Sequence, residues 1–403
     1  MTSDDRAHPS TLLRAIGTQR LQRKTRNPKL ALYEIGKVTI GGVMKLSQIL
    51  SLIVCIVLLG AAFMSRSGAA SVEEIALYNK PDRQKILVDG ARKEGKITWY
   101  TSLIVDQLVR PMKEAFEKKY PFLQIEHFRG NSERIVQKMF AEYQGKRYEV
   151  DIVDGTVTAP MVKKGGFLQR FHSPHLADYP AELKDPQGFW GVSNVYFFAV
   201  GYNTRMVKPN EVPKTYEDLL HPRWKGQMMW STSRGSGAPM MIGNLLQSMG
   251  QEAGKTYLQR FKGQNVAKTT ASNRQLLDLV IAGEYPLGLH IFNHHAHISR
   301  SAGAPVDWSP IEPVSATINT ISPVTRSPHP HAAMLLLDFI FSEEGQKVFQ
   351  AVNYLPSHPK VPAKQADLKP GGGRFKRVLY FTPDSQVNDG DAWVDYFEKN
   401  FLK

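Results

Sequence analysis

Apolar and polar positions switch between a period of two and a period near 3.6 along most of this chain, and the switches predict its elements. Lys96 to Tyr100 (KITWY) reads as a strand. A helix follows, with Asp106 as N-cap, Leu108, Val109, Met112 and Phe116 on one face, and Tyr120-Pro121 as its stop. Ile125 to Phe128 reads as a second strand. Asn131 and Ser132 then cap a helix with Ile135, Val136, Met139 and Phe140 inward, ending near Gly145. Val150 to Val153 is a third strand and leads into Asp154-Gly155-Thr156. Strands separated by amphipathic helices predict a parallel sheet with crossover helices.

In such sheets the ligand sits outside the carboxyl ends of the strands. That rule nominates Thr101, Ser102, Arg129, Gly130, Asp154 and Gly155, residue types that also serve as ordinary turn residues. Further on, Gly191 to Gly201 (GVSNVYFFAVG) is apolar and extended, as a strand crossing between two lobes would be. Gln227 to Trp230 enters the loop Ser231-Thr232-Ser233-Arg234-Gly235-Ser236-Gly237, and a helix pattern begins at Ala238 with Met241, Ile242, Leu245 and Leu246. Strand, small polar loop and helix make an anion-binding arrangement, because free amides at the helix start face the ligand and glycines let the backbone approach. Arg234 adds a charge-assisted contact in that reading. Ala316 to Ile321, the Pro-rich Ser322 to Pro330 and a helix from His331 to Phe341 suit a return to the first lobe.

One stretch has no periodicity. Leu46 to Phe63 (LSQILSLIVCIVLLGAAF) follows Met44-Lys45 and ends in small residues, the pattern of an export leader over 44–70. Its apolar core, Ile49 to Phe63 with Ser51 within it, is 15 residues, short of the ~20 of a spanning helix. A retained single-span anchor is the alternative. Cys55 follows bulky Val54, unlike a lipid-attachment site. Residues 1–43 carry eight Lys/Arg against three acids without an apolar face, and are expected to be a non-native extension ahead of a start at Met44. A long basic presequence or a cytoplasmic tail are the other options.

Removing residues 1–70 changes the composition. Lys+Arg falls from 51 to 41, Asp+Glu from 37 to 34, and the net charge from +14 to +7. The charge then gives no reason to expect nucleic acid as a partner. The only cysteine leaves with the leader, so no disulfide or thiolate ligand remains. The remaining 333 residues are long enough for two lobes.

Gly250 to Thr256 (GQEAGKT) is one residue short of a nucleotide phosphate loop and follows a helix, and Gly235-Ser236-Gly237 lacks the spacing of a nucleophile elbow. No constellation argues for an enzyme. The histidines do carry a signal: His290, His294, His295 and His297 fall within eight residues. Clustered imidazoles suit Zn, Cu or Ni, or they hydrogen-bond and line a pocket.

Thr215 to Gly226 (TYEDLLHPRWKG) resembles the "W/Y-x-DL-x-x-P-x-W-KG" signature of the extracellular solute-binding proteins of ABC importers, most closely their ferric-iron-binding branch. Ser342 to Gln346 (SEEGQ) and Gly283-Glu284 before an apolar strand match as well, and the likeness spans about Ala91 to Pro362. The resemblance implies a two-lobed type II periplasmic-binding-protein fold of the α/β class. Each lobe would be a mixed sheet flanked by helices, with a ligand cleft between them. Residues 71–195 and 316–403 are expected in lobe 1 and 196–315 in lobe 2. Ser236, Gly237, Ala238 and Asn273 fall where iron-binding members hold a synergistic anion. Asn293-His294-His295 stands where those members show Asn-Tyr-Tyr, so the neutral imidazoles replace the phenolates that suit ferric iron.

The expected function is therefore a periplasmic, monomeric receptor that closes on a small phosphate- or carboxylate-bearing solute and docks on an inner-membrane ABC permease. Ser233 and the other loop residues would grip the anion with Arg129 and Arg234, Asn293, His294 and His295 its polar groups, and Trp99, Tyr196 or Phe292 its apolar part. No cofactor is expected. The alternative is a metal held by His294 and His295 with an anion completing its shell. A sensor or interaction protein on the same fold is a further alternative.

Overall fold

Two long strands organise the molecule. The computed structural model describes residues 70–402, so the apolar leader and the extension before it lie outside the described residues. Helices α1 (Val72–Ala76) and α2 (Arg83–Glu94) precede β1 (Lys96–Thr101), α3 (Arg110–Lys119), β2 (Gln124–Arg129), α4 (Ser132–Gln144), β3 (Ile152–Gly155) and α5 (Thr158–Lys164). The 13-residue β4 (Gly191–Asn203) follows, then β5 (Met228–Ser231), α6 (Ala238–Met249), α7 (Gln251–Lys262), β6 (Ala267–Thr269) and α8 (Asn273–Ala282). β7 (Leu287–Phe292) runs straight into α9 (Asn293–Ser301), and β8 (Val306–Ser309) and β9 (Val314–Pro323) come next. The chain finishes with α10 (Pro330–Phe341), α11 (Glu343–Ala351), β10 (Leu355–Pro356), β11 (Val378–Phe381) and α12 (Pro383–Phe397).

The strand order is β2-β1-β3-β9-β4-β7-β5-β6. β1 is parallel to β2 and β3, and β5 to β6 and β7, as crossover helices require. β9 and β4 run antiparallel to their neighbours β3 and β7, so the sheets are mixed rather than purely parallel. β4 belongs to both halves: Gly191 to Phe197 pair with β9, whereas Phe198 to Tyr202 pair with β7. All but one of its residues are buried, which is why its sequence is apolar apart from Ser193, Asn194 and Asn203.

The local signals explain most element ends. Asn131 accepts from Arg134 N at 3.0 Å and starts α4. Asp106 does not cap a helix; it pairs with Arg110, and a π-helical turn over Val105–Val109 precedes α3. In the SEEGQ motif, Ser342 Oγ accepts from Gly345 N, and Gln346, fully buried, donates to Ser193 O at 2.8 Å and accepts from Ser357 N at 2.8 Å. That glutamine fastens α11 to β4. The TYEDLLHPRWKG motif closes on itself, with Asp218 accepting from Lys214 N and Thr215 N and with Leu219 and Trp224 buried.

One core packs Leu87, Trp99, Phe116 and the wholly buried span Ala332 to Phe341; within it Arg83 pairs with Asp338. Another surrounds Trp230, with Phe261, Trp393, Phe397 and Phe401. Here α12 lies so close to α6 that a methyl group at Gly243 would sit 2.6 Å from the Trp393 indole.

Candidate functional site

The loop between β5 and α6 is shaped by short-range bonds. Ser231 Oγ donates to Ala271 O at 2.6 Å and accepts from Ser233 N at 3.2 Å. Gly237 N donates to Ser233 O at 2.8 Å, and a Cβ at Gly237 would collide with the carbonyl oxygens of Ser231 and Ser233. Asn273 Nδ2 holds the loop from beneath, donating to Ser236 O at 2.8 Å and His290 O at 2.6 Å. His290 stacks on Phe198 at 3.7 Å and contacts Ser315 Oγ through Nε2 at 3.2 Å. Burial pulls its pKa down to about 3, so the ring is neutral, and Nδ1–H is left to donate to Ser236 O at 3.0 Å.

This loop forms one wall of a cleft with about 610 Å³ of empty volume, part of it open to solvent. Ser233, Gly235 and Ser236 face Ser102 beyond β1, Arg129 at the end of β2 and Thr156 beyond β3. The first turns of two helices also reach it, through Asn131, Ser132 and Glu133 of α4 and Ser272, Asn273 and Arg274 of α8. With α6, three helix N-termini begin at this cleft, each carrying a partial positive charge. Arg129 makes no ion pair among the described residues, and its Nε is buried without a partner. Arg274 donates to Ser299 Oγ at 2.7 Å and pairs with Asp278. Both guanidinium charges, after burial and His294, help hold the His295 pKa well below its ordinary value.

The fourth wall is aromatic. Tyr196 stacks on Phe292 at 4.4 Å, and Tyr354 and His295 complete the surface, with His295 Nε2 3.4 Å from Tyr354 Oη. Burial raises the Tyr196 and Tyr354 phenols above their ordinary range, so both are protonated.

Of the residues nominated from sequence, Ser102, Arg129, Tyr196, Ser233, Ser236, Asn273, Phe292 and His295 line the cleft. The others stand behind or outside it. Asp154 is buried and accepts from Trp99 Nε1 at 2.7 Å, Ser102 N and Oγ at 3.0 Å, and Asn319 Nδ2 at 3.2 Å. Burial raises its pKa above the ordinary carboxylate range, against the opposing pull of bonds from Thr101, Ser102 and Asn319. It therefore positions Ser102 rather than meeting a ligand, and Trp99 belongs to the same buried bond. Thr101 Oγ1 accepts from Leu103 N, and Gly130 N donates to Thr101 O, both at 3.0 Å. Gly237 and Ala238 shape the loop from inside it. Arg234 turns outward to pair with Asp391 of α12. Asn293 donates to Leu368 O at 2.9 Å.

His294 is fully buried and absent from the cleft wall, stacked on Tyr196 at 5.4 Å with neither ring nitrogen bonded. Burial takes its pKa down to about 3. The His294 and His295 rings lie against each other, centroids 4.2 Å apart, but only His295 reaches the cleft wall. Among the described residues no three His, Cys, Asp or Glu side chains gather as a metal site would require. Sequence reasoning missed Asn131, Glu133, Thr156, Ser272, Arg274 and Tyr354. The Ser272–Gln275 capping box was the available signal for the α8 start.

A profile of the family described as bacterial extracellular solute-binding protein matches residues 151–378. The chain belongs to that family. Iron uptake protein A1 of Synechocystis sp. is 22% identical over 237 residues, 56% of this chain and 66% of that relative. Among solved structures, AfuA from Actinobacillus pleuropneumoniae with exogenous fructose-6-phosphate bound matches with a TM-score of 0.66 at 19% identity, over 77% of this chain and 99% of its own. Iron-bound HitA from Pseudomonas aeruginosa matches with 0.63 at 20% identity, over 75% and 98%. The solute-binding protein thus has the type II periplasmic-binding-protein fold expected from its sequence.

Proposed function

We propose that this solute-binding protein captures a small phosphate- or carboxylate-bearing solute in the cleft and delivers it to an ABC permease. The observation that carries this reading is the unpaired Arg129 facing the Ser233–Ser236 loop across a cleft where three helices begin. A carboxylate or phosphate there would accept from Arg129, Ser102 and the loop hydroxyls, with the helix termini adding favourable charge. Because β4 and β9 join the two halves, a ligand touching both would shift the population toward closure. AfuA, named with a sugar phosphate bound, is a relative in keeping with this cargo.

A metal with a synergistic anion is the second reading. It draws on the relatives named for iron and on one contact group, His295 with Tyr354 and Tyr196, rather than on the His294–His295 pair. A thermal-shift panel of inorganic phosphate, sugar phosphates, carboxylates, Fe(III), Zn(II) and Ni(II) separates the two. A ligand at a hundredfold over its Kd should add about 2.7 kcal/mol. Shifts with metal-free organic anions, lost on Arg129→Ala, support the first reading. Shifts only with metals, lost on His295→Ala, overturn it.

A further inference from the structure

Glu133 is out of place in an anion site. It lies in the first turn of α4, four residues beyond Arg129, and lines the same cleft. A carboxylate here stabilises the helix start, but it also repels the ligand that Arg129, Arg274 and the loop attract. Its Oε1 is buried with no partner, and among the described residues the side chain makes neither an ion pair nor a hydrogen bond. Arg134, next in sequence, turns instead over the Phe128 ring at 5.3 Å. An ionised carboxylate is acceptor-only, and a buried acceptor without a donor is costly. The missing donor is not supplied by the protein.

Resting on the anion-receptor reading, we propose that Glu133 is a specificity residue that selects organic anions carrying a hydroxyl or ammonium donor and rejects bare anions. The cleft offers such a body a surface: it is open to solvent, and its Tyr196–Phe292–Tyr354 wall would face nothing if phosphate alone were bound. The anionic end meets Arg129 and the Ser233–Ser236 loop, and the donor end meets Glu133 Oε1. A second acid or an all-acceptor surface at that end is turned away by charge, which makes the selection partly repulsive.

The experiment measures binding of ethyl phosphate, phosphoethanolamine, glycerol 3-phosphate and inorganic phosphate by calorimetry to wild type, Glu133→Gln and Arg129→Ala. Wild type should bind phosphoethanolamine or glycerol 3-phosphate at least about tenfold tighter than ethyl phosphate, the factor one charge-assisted bond gives. The better of the two identifies the donor as ammonium or hydroxyl. Glu133→Gln should shrink that ratio to within about threefold and tighten inorganic phosphate. Circular dichroism and a cooperative denaturation transition like that of wild type would show that the variant is folded. Anions that need Arg129 but show the same ratios in Glu133→Gln overturn this inference alone. No binding by any of the four, with Arg129→Ala indistinguishable from wild type, overturns the anion receptor along with it.

Discussion

His290 Nδ1 lies 3.0 Å from the carbonyl oxygen of Ser236, so an imidazole from β7 pins the loop that faces the cleft. His290 does so with φ at +58°, a conformation that side chains other than glycine and asparagine adopt reluctantly. Held this way, the loop presents Ser233 and Ser236 without having to be ordered by the ligand. Asn273→Ala removes both Nδ2 bonds and should cost about 1–3 kcal/mol of stability. It should also weaken phosphate-ester binding by about tenfold. Urea denaturation and calorimetry on the same variant check the two effects.

Arg129 and Arg234 should differ in consequence. Arg129→Ala should abolish most organic-anion binding, a loss of about ten- to a hundredfold for a charge-assisted contact. Arg234→Ala should change affinity by less than about threefold, because Arg234 is engaged by exposed Asp391 outside the cleft, and exposed pairs carry little energy. Calorimetry with phosphate esters on both variants tests the contrast. Equal losses would return Arg234 to the ligand.

Acid should destabilise this protein earlier than its carboxylates alone require. His290 and His294 are held down to about 3 by burial, and His295 well below its ordinary 6.5. Between about pH 6.5 and 3 the unfolded chain therefore binds more protons than the folded one, and stability falls as pH falls. Each histidine adds a slope of up to about 1.4 kcal/mol per pH unit. His329 has the opposite sign: its bond to Asp151 raises its pKa, so its contribution is full below 6.5 and is lost as pH rises through the folded value. Denaturation midpoints from pH 4 to 8 should rise steeply over the lower half. His294→Phe should flatten that rise.

Arg83 and Asp338 form a buried pair between α2 and α10, with Arg83 also donating to His172 O at 2.8 Å. Arg83→Ala strands a buried carboxylate and should cost about 3–5 kcal/mol. Replacing both members with Met and Leu should restore much of the loss. Chemical denaturation of the single and double variants is the check.

The strands and helices flanking the cleft were legible because each carries its own punctuation: Asn131 for α4, Gly145 for its end, the Ser-Gly loop for α6. Arg129 followed from the rule that ligands sit at strand ends, and Ser236 from the small polar loop leading into a helix. Asp154 and Thr101 obeyed the same rule in position but not in direction, since residues alternate faces along a strand and these two point inward. His294 and His295 are a pair in sequence and in space, with rings 4.2 Å apart, but no local pattern tells which of the two is buried behind the cleft and which faces it. Tyr354 reaches the cleft from a segment remote in sequence, and no local pattern announces such convergence. Nor could the sequence reveal that Asp391, far downstream, engages Arg234.

The shared strand β4 has a consequence for how this molecule can be divided. Its first half pairs with β9 and its second with β7, so no cut in the polypeptide leaves two pieces that each own a complete sheet. A half ending near Phe197 would expose the raw edge of β9 or β7, the kind of unpaired ladder that invites aggregation. Swapping one half for that of a relative therefore requires exchanging β4 and β9 together. Designers of split reporters or chimaeric receptors from this scaffold would do better to place their junctions in the outer loops, leaving that pair of strands intact.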